Sequence, residues 1–584
     1  MFQDFGHLTE RRRAEREQRK KKIIIVSCSV ALLLVVVLGV VASLHIFTKD
    51  PSNVSATSGG LRTTSRTIEL ICSSTDFKHA CESSLSRVLN SSAGNSTSTD
   101  LQPRDLIKAA IAAVADEVSE AFSQAKLIKT DDPMVEGAVE DCKGLYHYAK
   151  DELLQTLRDV GKSPAEQLPK KEHDLKNWLS AVMSYQQTCI DGFPEGEFKT
   201  KMENAMKTAK QLTSNALAIV AQAASLFSML DVRGLRVRRR LMSDADGLPA
   251  WVPEGDRRLL KEKVTKNLKP NVVVAKDGSG DFRTISAALA AISEKYHGRY
   301  VIYVKAGIYD ESPTVTKEMV NVTMYGDGSR RTVVTGSKNF VDGTRTFQTA
   351  TFIAIGEGFM AIAMGFRNTA GAIKHQAVAI RVQSDRAIFL NCRMEGYQDT
   401  LYAQTHRQFY RGCVVAGTVD FIFGDAAAVF QNCVLVVRRP LDNQQNIVTA
   451  QGRIDRREST GFVIQNCRFV ADKKLALAGA APIRSYLGRP WKEYSRTIIM
   501  ESTIGDFIQP DGYMPWDGDF ALKTLYYGEY GNKGPGAGLS KRVAWPGFKV
   551  IGKAEAQAYT VALFIQGGDW IRAAGVPVHL GMYN

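Results

Sequence analysis

The sequence lacks the motifs that mark the commonest hydrolase centres and has few long apolar segments. It contains no G-x-S-x-G motif, no H-E-x-x-H motif and no Cys/His spacing typical of a zinc site. These absences disfavour a nucleophile-elbow serine hydrolase and a zinc enzyme. A single long apolar run is too little for a membrane protein with many spans. The 584 residues, 44% hydrophobic and 23% charged, predict a globular chain of about two to four domains.

Excess positive charge is confined to two short runs. Residues 11–22 carry eight Lys or Arg against two Glu, and residues 233–240 carry five Arg and no acid. Together these runs supply 11 of the 14 excess charges, so the rest of the chain is nearly neutral. This distribution is typical of targeting and processing segments, not of a broad basic binding face. We therefore predict no nucleic-acid partner.

The apolar run predicts entry into the secretory pathway. Ile23 to Leu44 is a stretch of 22 residues without a charge, which is long enough to cross a bilayer. We predict a cytosolic basic tail over 1–22 and a signal-anchor over 23–47, with the later residues on the lumenal side. The alternative is a long signal peptide that is removed. Four N-glycosylation sequons agree with either route: Asn53, Asn90, Asn95 and Asn321.

A helical region follows the Ser/Thr/Gly-rich linker at 48–65. Over 66–230 apolar residues recur at three-to-four spacing, which predicts a four-helix bundle with a short leading helical hairpin. No paired acid/base set appears in this region, so a binding or inhibitory module is favoured. In an oxidising compartment we favour two disulfides, although sequence alone leaves the connectivity open: Cys72 with Cys81 and Cys142 with Cys189.

Residues 231–268 form a basic linker that contains two dibasic-Leu sequences. An exposed basic linker is a natural protease site, and the alternative is a linker that is never cut. The predicted processing residues are Arg239, Arg240, Arg257 and Arg258.

From about residue 269 the chain becomes strand-like and repetitive. An aromatic or β-branched residue, a polar residue and a Cys recur together, with Cys spacings of 21, 20 and 34. A period of 20–21 residues predicts one coil of a parallel β-helix per repeat, with an inserted loop in the longest. The cysteines would form an inward column, either bridged or as free thiols: Cys392, Cys413, Cys433 and Cys467.

The same period stacks candidate catalytic residues. Asp399 and Asp420 are 21 residues apart, and Gln376 and Gln398 are 22 apart, so each pair should lie on successive coils. Two stacked carboxylates cannot both ionise freely, so one could act as an acid and the other as a nucleophile, with amide donors for an oxyanion. The alternative is a surface Asp ladder that only caps turns.

Five ordered motifs over about 300 residues resemble the pectin methylesterase family of plant cell-wall esterases. The resemblance implies a right-handed parallel β-helix over 269–584, in agreement with the repeat, and an all-α domain before it. The motifs are GIYDE at 307–311, QAVAI at 376–380, QDTL at 398–401, GTVDFIFGDAAAVFQ at 417–431 and YLGRPWKEYSRT at 486–497.

The resemblance also implies a role for each site residue. Asp420 resembles the nucleophile, Asp399 the general acid and then base, and Arg489 the residue that holds Asp420 ionised. Gln376 and Gln398 resemble the oxyanion donors. The implied substrate contacts, with no metal or cofactor, are Trp491, Gln376, Arg489, Phe421 and Thr346.

One departure from the family pattern lies beside the site. Asp425 stands where Asn is common after the IFG sequence, and Ile380 stands where Leu is common. Asp425 adds a carboxyl group that could change the pH dependence, and neither change threatens the catalytic assignment.

Residues 66–225 resemble the invertase/pectin methylesterase inhibitor family, on helices and cysteines more than on motifs. The implied whole is a secreted, monomeric pro-enzyme of the cell wall, with a membrane-anchored precursor as an option. Its implied partners are pectin, its own pro-domain or separate inhibitor proteins, and a processing protease. Polygalacturonases, pectate lyases and a catalytically inactive wall-binding protein are the competing functions, and methanol release separates them from an esterase.

Overall fold

The structure is a computed structural model that describes most of the chain beyond residue 58. The predicted tail and signal-anchor, most of the 48–65 linker and the four processing arginines lie outside the described residues. Within the described part, no helix is both long and apolar enough to cross a membrane. The described ranges are 59–92, 103–164, 167–222, 268–293, 296–476 and 483–583.

The N-terminal region is helical. Pro133, which could have ended a helix, instead begins one, because the Asp132 side chain accepts a hydrogen bond from Met134 N at 2.8 Å and caps the helix. The helices are α1 Gly59–Cys72, α2 Lys78–Ser92, α3 Pro103–Ser123, α4 Pro133–Lys162, α5 Leu168–Asp191 and α6 Glu197–Ala221.

Two disulfides join neighbouring helices. Cys72–Cys81 links α1 to α2, and Cys142–Cys189 links α4 to α5, with Cα–Cα distances of 5.7 and 4.8 Å. Both pairings are those favoured from the sequence. Helices α3 to α6 enclose one apolar core, in which Leu145, Leu179 and Leu217 are fully buried.

The C-terminal region contains 26 short strands and small helices. The helices are α7 Ile285–Ala290, α8 Lys473–Ala476, α9 Lys553–Gln557, α10 Val561–Phe564 and α11 Gly567–Ala573. The strands are β1 Val272–Val274, β2 Tyr300–Val304, β3 Gly307–Asp310, β4 Thr314–Val315, β5 Val322–Gly326, β6 Thr332–Gly336, β7 Phe352–Ala354, β8 Met360–Ile362, β9 Gly365–Asn368, β10 Ile380–Val382, β11 Ala387–Leu390, β12 Arg393–Glu395, β13 Leu401–Ala403, β14 Arg407–Arg411, β15 Val414–Gly417, β16 Ile422–Gly424, β17 Ala427–Gln431, β18 Val434–Val437, β19 Asn446–Gln451, β20 Gly461–Gln465, β21 Arg468–Ala471, β22 Ser485–Gly488, β23 Arg496–Met500, β24 Thr503–Ile504, β25 Tyr526–Tyr530 and β26 Phe548–Val550.

These strands form three parallel sheets that coil into a right-handed β-helix. The first sheet has the order β1-β2-β5-β8-β11-β14-β17-β20-β23-β25-β26, and the second has β22-β19-β16-β13-β10-β7-β4. The third has β24-β21-β18-β15-β12-β9-β6-β3. A complete coil contributes one strand to each sheet, and the coils at the two ends are incomplete, so residues one repeat apart lie side by side. The all-β domain after an all-α domain confirms the predicted fold class.

The repeat seen in the sequence is the interior of this coil. Phe389, Tyr410 and Phe430 stack in the core with ring centroids 4.9 and 4.6 Å apart. The cysteine column is also buried, and its four thiols are free, which decides between the two alternatives left open. The turn before each Cys needs a left-handed residue, and this explains the recurring Asn and the single Gly412, whose φ is 60°.

Candidate active site

Asp399 and Asp420 occupy equivalent turns on neighbouring coils. Asp399 precedes β13 and Asp420 precedes β16, and Asp399 N donates to Val419 O at 3.0 Å. Both have left-handed backbones, with φ of 62° and 49°. Asp tolerates this region better than most residues with a Cβ. Both side chains are buried, at 7% and 5% exposure, so the turns hold two carboxyl groups in one poorly solvated place.

Arg489 distinguishes the two carboxyl groups. It follows β22, and its Nε and Nη2 donate to the two Asp420 oxygens at 2.8 and 2.5 Å. This bidentate pair orients Asp420 and places a cation against both of its oxygens. Burial, followed by the negative charge of Asp420, raises the pKa of Asp399 well above its usual value, against a smaller opposing effect of Arg489. The geometry therefore provides one carboxylate and one carboxylic acid side by side.

Gln376 precedes β10, and Gln398 precedes β13 as the chain neighbour of Asp399, so the two glutamines begin one coil before the two aspartates. Both glutamines are half-buried, and Ala377 N donates to the Gln398 carbonyl oxygen at 3.3 Å. This backbone pairing places Gln376 one coil before Gln398 and Asp399.

An aromatic surface continues from the aspartates along the second sheet. The rings of Tyr402 and Phe423 stack at 4.2 Å, Trp491 meets Phe423 edge-on at 5.9 Å, and Phe347 meets Tyr402 edge-on at 6.4 Å. Thr346 is half-buried at the start of the short turn that carries Phe347.

The structure corrects the prediction for Phe421. Its ring is fully buried in the β-helix core, because it points to the opposite side of the chain from Phe423. Phe423 is the aromatic residue that faces the site. The two-residue periodicity of a strand could have shown this, since Phe423 rather than Phe421 repeats in register with Tyr402.

Sequence reasoning also missed Trp516 and Arg381. Trp516 lies under the Arg489 guanidinium, with 4.2 Å between Cζ and the ring centroid. It comes from a loop with no motif of its own, so no sequence feature indicated it. Arg381 lies in register with Tyr402, and the coil period could have placed it there.

The helical domain packs on this face, within one compact unit that covers residues 66–584. Gln404 Nε2 donates to Thr188 Oγ1 at 3.2 Å, and Lys492, next to Trp491, donates to Asp191 at 2.6 Å. Phe347 packs against the helical core. The C-terminal end of α5 therefore covers the aromatic surface.

Ion pairs between the two domains are all oriented the same way. In each, the acid belongs to the helices and the base to the β-helix, which is electrostatic complementarity across an extended surface. Pairs of this kind among the described residues include Asp191–Lys492 at 2.6 Å, Asp141–Arg345 at 2.7 Å, Asp174–Arg407 at 2.8 Å, Asp76–Arg457 at 3.0 Å and Glu152–His406 at 3.5 Å.

No cluster of three or more His, Cys, Asp or Glu in the described ranges has the arrangement of a metal site. The site offers acid, base and amide groups.

Comparison with known proteins agrees with this arrangement. Residues 271–568 match the model of the Pectinesterase family, and residues 66–219 match that of the Plant invertase/pectin methylesterase inhibitor family. "Probable pectinesterase/pectinesterase inhibitor 13" of Arabidopsis thaliana is 48% identical over 519 residues, covering 88% of this chain and 82% of that protein. "Pectinesterase 3" of Citrus sinensis is 44% identical, covering 76% of this chain and 77% of that protein.

A solved structure covers the β-helix alone. Pectin methylesterase from carrot is 52% identical, with a TM-score of 0.53, and covers 54% of this chain and 99% of its own. The chain thus belongs to the pectinesterase family, with an inhibitor-family domain preceding its catalytic β-helix.

Proposed function

We propose that this chain is a pro-enzyme that hydrolyses the C6 methyl esters of homogalacturonan to pectate and methanol. The observation that carries the proposal is the Asp420–Arg489 bidentate pair directly beside Asp399, whose pKa is raised. A carboxylate nucleophile next to a protonated acid is one arrangement that can cleave an ester without a metal. No cofactor takes part.

In the first step, an Asp420 oxygen attacks the ester carbonyl carbon. The negative charge moves to the carbonyl oxygen, where the side-chain amides of Gln376 and Gln398 donate hydrogen bonds. Asp399 then gives its proton to the methoxy oxygen, the carbon–oxygen bond breaks and methanol leaves. The product of this step is an anhydride between Asp420 and the galacturonate carboxyl carbon.

In the second step, Asp399 acts as a base. It takes a proton from a water molecule, and the hydroxide attacks the anhydride. Cleavage returns Asp420 as a carboxylate held by Arg489, restores the proton on Asp399 and releases a galacturonate carboxylic acid. Trp491 and Phe423 provide flat apolar surface for the sugar ring, and Thr346 lies at the rim.

The helical domain keeps this site closed until the linker is cut. Contacts of Thr188 and Asp191 over the aromatic surface support this, because a polymer cannot lie on Tyr402 and Trp491 while α5 covers them. We assign 66–230 to the pro-domain, 231–268 to the linker cut at Arg239–Arg240 or Arg257–Arg258, and 269–584 to the catalytic domain. The pro-enzyme would pass through the secretory pathway, and the monomeric enzyme would act in the cell wall.

Methanol release from highly methylated pectin tests the chemistry. Residues 268–584 should release methanol, and Asp420→Asn should abolish release without changing the fold. Asp442→Asn is the matched control, because Asp442 is exposed and pairs with nearby Arg439. Release that survives Asp420→Asn would overturn the nucleophile, and chain shortening without methanol would overturn the esterase.

Processing has its own test in the full chain. Changing the four linker arginines to Gln should keep the chain uncut and inactive on pectin, while the unmodified chain gains activity as it is cut. An uncut chain as active as the cut one would refute closure by the helical domain.

A further inference from the structure

A cation lies on the aromatic surface one coil before the aspartates. Arg381 is the middle residue of β10, and its Cα pairs with that of Tyr402 on β13, which in turn pairs with Phe423 on β16. Strands are about 4.8 Å apart, so the three side chains form a row along the second sheet. Asp399 and Asp420 each come three residues before the second and third members of this row. Arg381 is therefore one coil away from the reacting centre.

The Arg381 guanidinium is incompletely satisfied in the closed chain. It lies 3.5 Å from the centroid of the Phe347 ring, and Nη1 donates to the Phe347 carbonyl oxygen at 2.6 Å. Its Nε is buried with no hydrogen-bond partner, and the residue is only 4% exposed. Burial lowers the pKa of Arg381 to about 10, so the group remains cationic at neutral and acidic pH.

The helical domain does not neutralise this charge as it neutralises others on the same face. The helix residues around Arg381 are Tyr148, Tyr185 and Asp141. Asp141, the only acid among them, is already bound by Arg345 and Gln348 at 2.7 and 2.6 Å. Within the described part of the chain, Arg381 forms no ion pair. A buried cation without an anion is unfavourable, so this guanidinium would gain from contact with a carboxylate.

The reaction itself produces a suitable anion. Each turnover leaves a free carboxylate on the polymer, and a planar guanidinium matches a carboxylate better than any other side chain does. Taking the proposed function as given, we propose that Arg381 binds the carboxylate of an already de-esterified galacturonate beside the unit held at Asp420. The residue would make the opened enzyme prefer esters that adjoin free acids, so that demethylation spreads in blocks.

The experiment compares two substrates on residues 268–584, and a solved pectin methylesterase from carrot that matches 54% of this chain over 99% of its own length supports working with a part of this size. One substrate is a fully methyl-esterified oligogalacturonide, and the other carries free carboxylates at some units. Initial methanol release gives kcat and KM for each, and mass spectrometry gives the pattern of product carboxylates. The variants are Arg381→Gln, which removes the charge, and Arg381→Lys, which keeps it.

Arg381→Gln should raise KM on the partly de-esterified substrate about tenfold or more, with little change on the fully esterified one. Its products should be scattered where those of the unmodified domain are clustered. Arg381→Lys should recover part of the preference, and added salt should raise KM only for proteins with a cation at this position.

Equal loss of activity on both substrates would overturn the proposal, because it would indicate a structural role through Phe347. No change in KM for either substrate would also overturn it. These outcomes are distinct from failure of the proposed function, in which the unmodified domain itself would release no methanol from either substrate.

Discussion

The helical region and the β-helix are stabilised by different interactions. The helices are cross-linked by two disulfides, whereas the four cysteines of the β-helix are buried as free thiols in a column. The β-helix is stabilised along its length by parallel strand pairing and by stacked rings such as Tyr410 on Phe430. Oxidising conditions therefore stabilise the helical region through its disulfides, whereas the described cysteines of the β-helix form none.

The two regions also divide the chemistry between them. The β-helix places its reactive groups in turns before the strands of one sheet, as with Asp399 and Asp420. The helices contribute acids that pair with bases around that sheet, among them Asp174 with Arg407 and Asp191 with Lys492. The β-helix thus carries the candidate reactive groups, and the helical region carries acids that complement its bases.

Removing the longer disulfide should produce the largest difference in stability between the two regions. Cys142–Cys189 closes a loop of 47 residues, so its entropic stabilisation is ~4 kcal/mol. In calorimetry of the full chain, Cys142→Ser/Cys189→Ser should lower the unfolding temperature of the helical region by roughly 10 °C. The unfolding temperature of the β-helix should not change. Pectin hydrolysis by the uncut chain should rise, because the cover would open.

The shorter disulfide and the thiol column are the controls. Cys72–Cys81 closes only 9 residues, so Cys72→Ser/Cys81→Ser should cost less, ~2.6 kcal/mol. Cys413→Ala should affect the β-helix transition only. The comparison fails if the helical transition is insensitive to both disulfides.

The next largest effect concerns the buried pair Glu152–His406 between the two regions. Burial disfavours the imidazolium, but Glu152 and then Asp385 outweigh burial and raise the pKa of His406 above 6.5. Burial likewise disfavours the Glu152 carboxylate, but His406 and Lys317 outweigh it and lower its pKa below 4.5. His406 therefore contributes fully below pH 6.5, and its contribution is lost as pH rises through its raised pKa. Glu152 contributes fully above pH 4.5, so docking should be tightest between these values.

Dissociation of the linker-cut complex, measured from pH 5 to pH 8, should show weakening as the pH rises. Tyr185 and Arg407 also adjoin this pair, but neither titrates from one charge to another in that range. His406→Gln should weaken docking by about 3 kcal/mol at pH 6 and flatten the profile. His173→Gln is the control, because burial lowers the pKa of His173, a shift opposite in direction to that of His406. A steep profile that persists in His406→Gln would rule out this pair as the cause.

Much of the β-helix and its pair of aspartates could be predicted from the sequence, because residues recur at the period of the coil. The spacing of 21 residues between Asp399 and Asp420 predicts neighbouring turns, and the structure has them there. The Cys repeat predicts an inward column for the same reason. Both follow from local pattern, since a coil repeats its own residues at fixed intervals.

The surface between the regions is not readable in this way. Asp191 and Lys492 are 301 residues apart, and no periodicity relates a helix to a coil. The choice of Phe423 over Phe421 required the register of each strand, and the free state of the thiols required the orientation of each Cβ. Long-range docking and side-chain direction are tertiary properties, and here they decide which residues face the substrate.

Within the β-helix, Arg489→Lys tests whether Arg489 acts on Asp420 by orienting it or only by its positive charge. Lys keeps the positive charge but cannot donate two parallel hydrogen bonds to Asp420. Loss of nucleophile alignment should lower kcat on the order of a hundredfold, with KM and inhibitor docking little changed. Arg438→Lys is the matched control, since Arg438 stacks on Tyr397 at 3.9 Å and donates to the Gly396 carbonyl and Tyr397 hydroxyl oxygens instead of to Asp420. Equal losses of kcat in both variants would contradict the role given to the bidentate Arg489–Asp420 pair.

The smallest effect concerns Asp425, the departure from the family pattern. Its Oδ2 and the Oε2 of Glu458 are buried together, and Gln451 and Thr460 bind the other Asp425 oxygen at 3.0 and 2.6 Å. Burial raises the pKa of Asp425 to about 6, and burial and Asp425 raise that of Glu458 well above its usual value. Two acids that keep a proton in the fold stabilise it at low pH, and this contribution is lost as pH rises from about 4 through about 6.

Asp425→Asn should therefore change the pH dependence of stability more than catalysis. An Asn amide can donate to Glu458 without a shared proton, so the β-helix transition should fall less between pH 4 and pH 8 than in the unmodified chain. We expect a difference on the order of 1 kcal/mol, with kcat on pectin within about twofold. Because Glu458 lies beside Arg457 and Ser459, which contact Asp76 and Ser180 of the helices, docking of the pro-domain should follow the same change. An identical pH profile in both proteins would show that the proton is not shared between these two carboxyl groups.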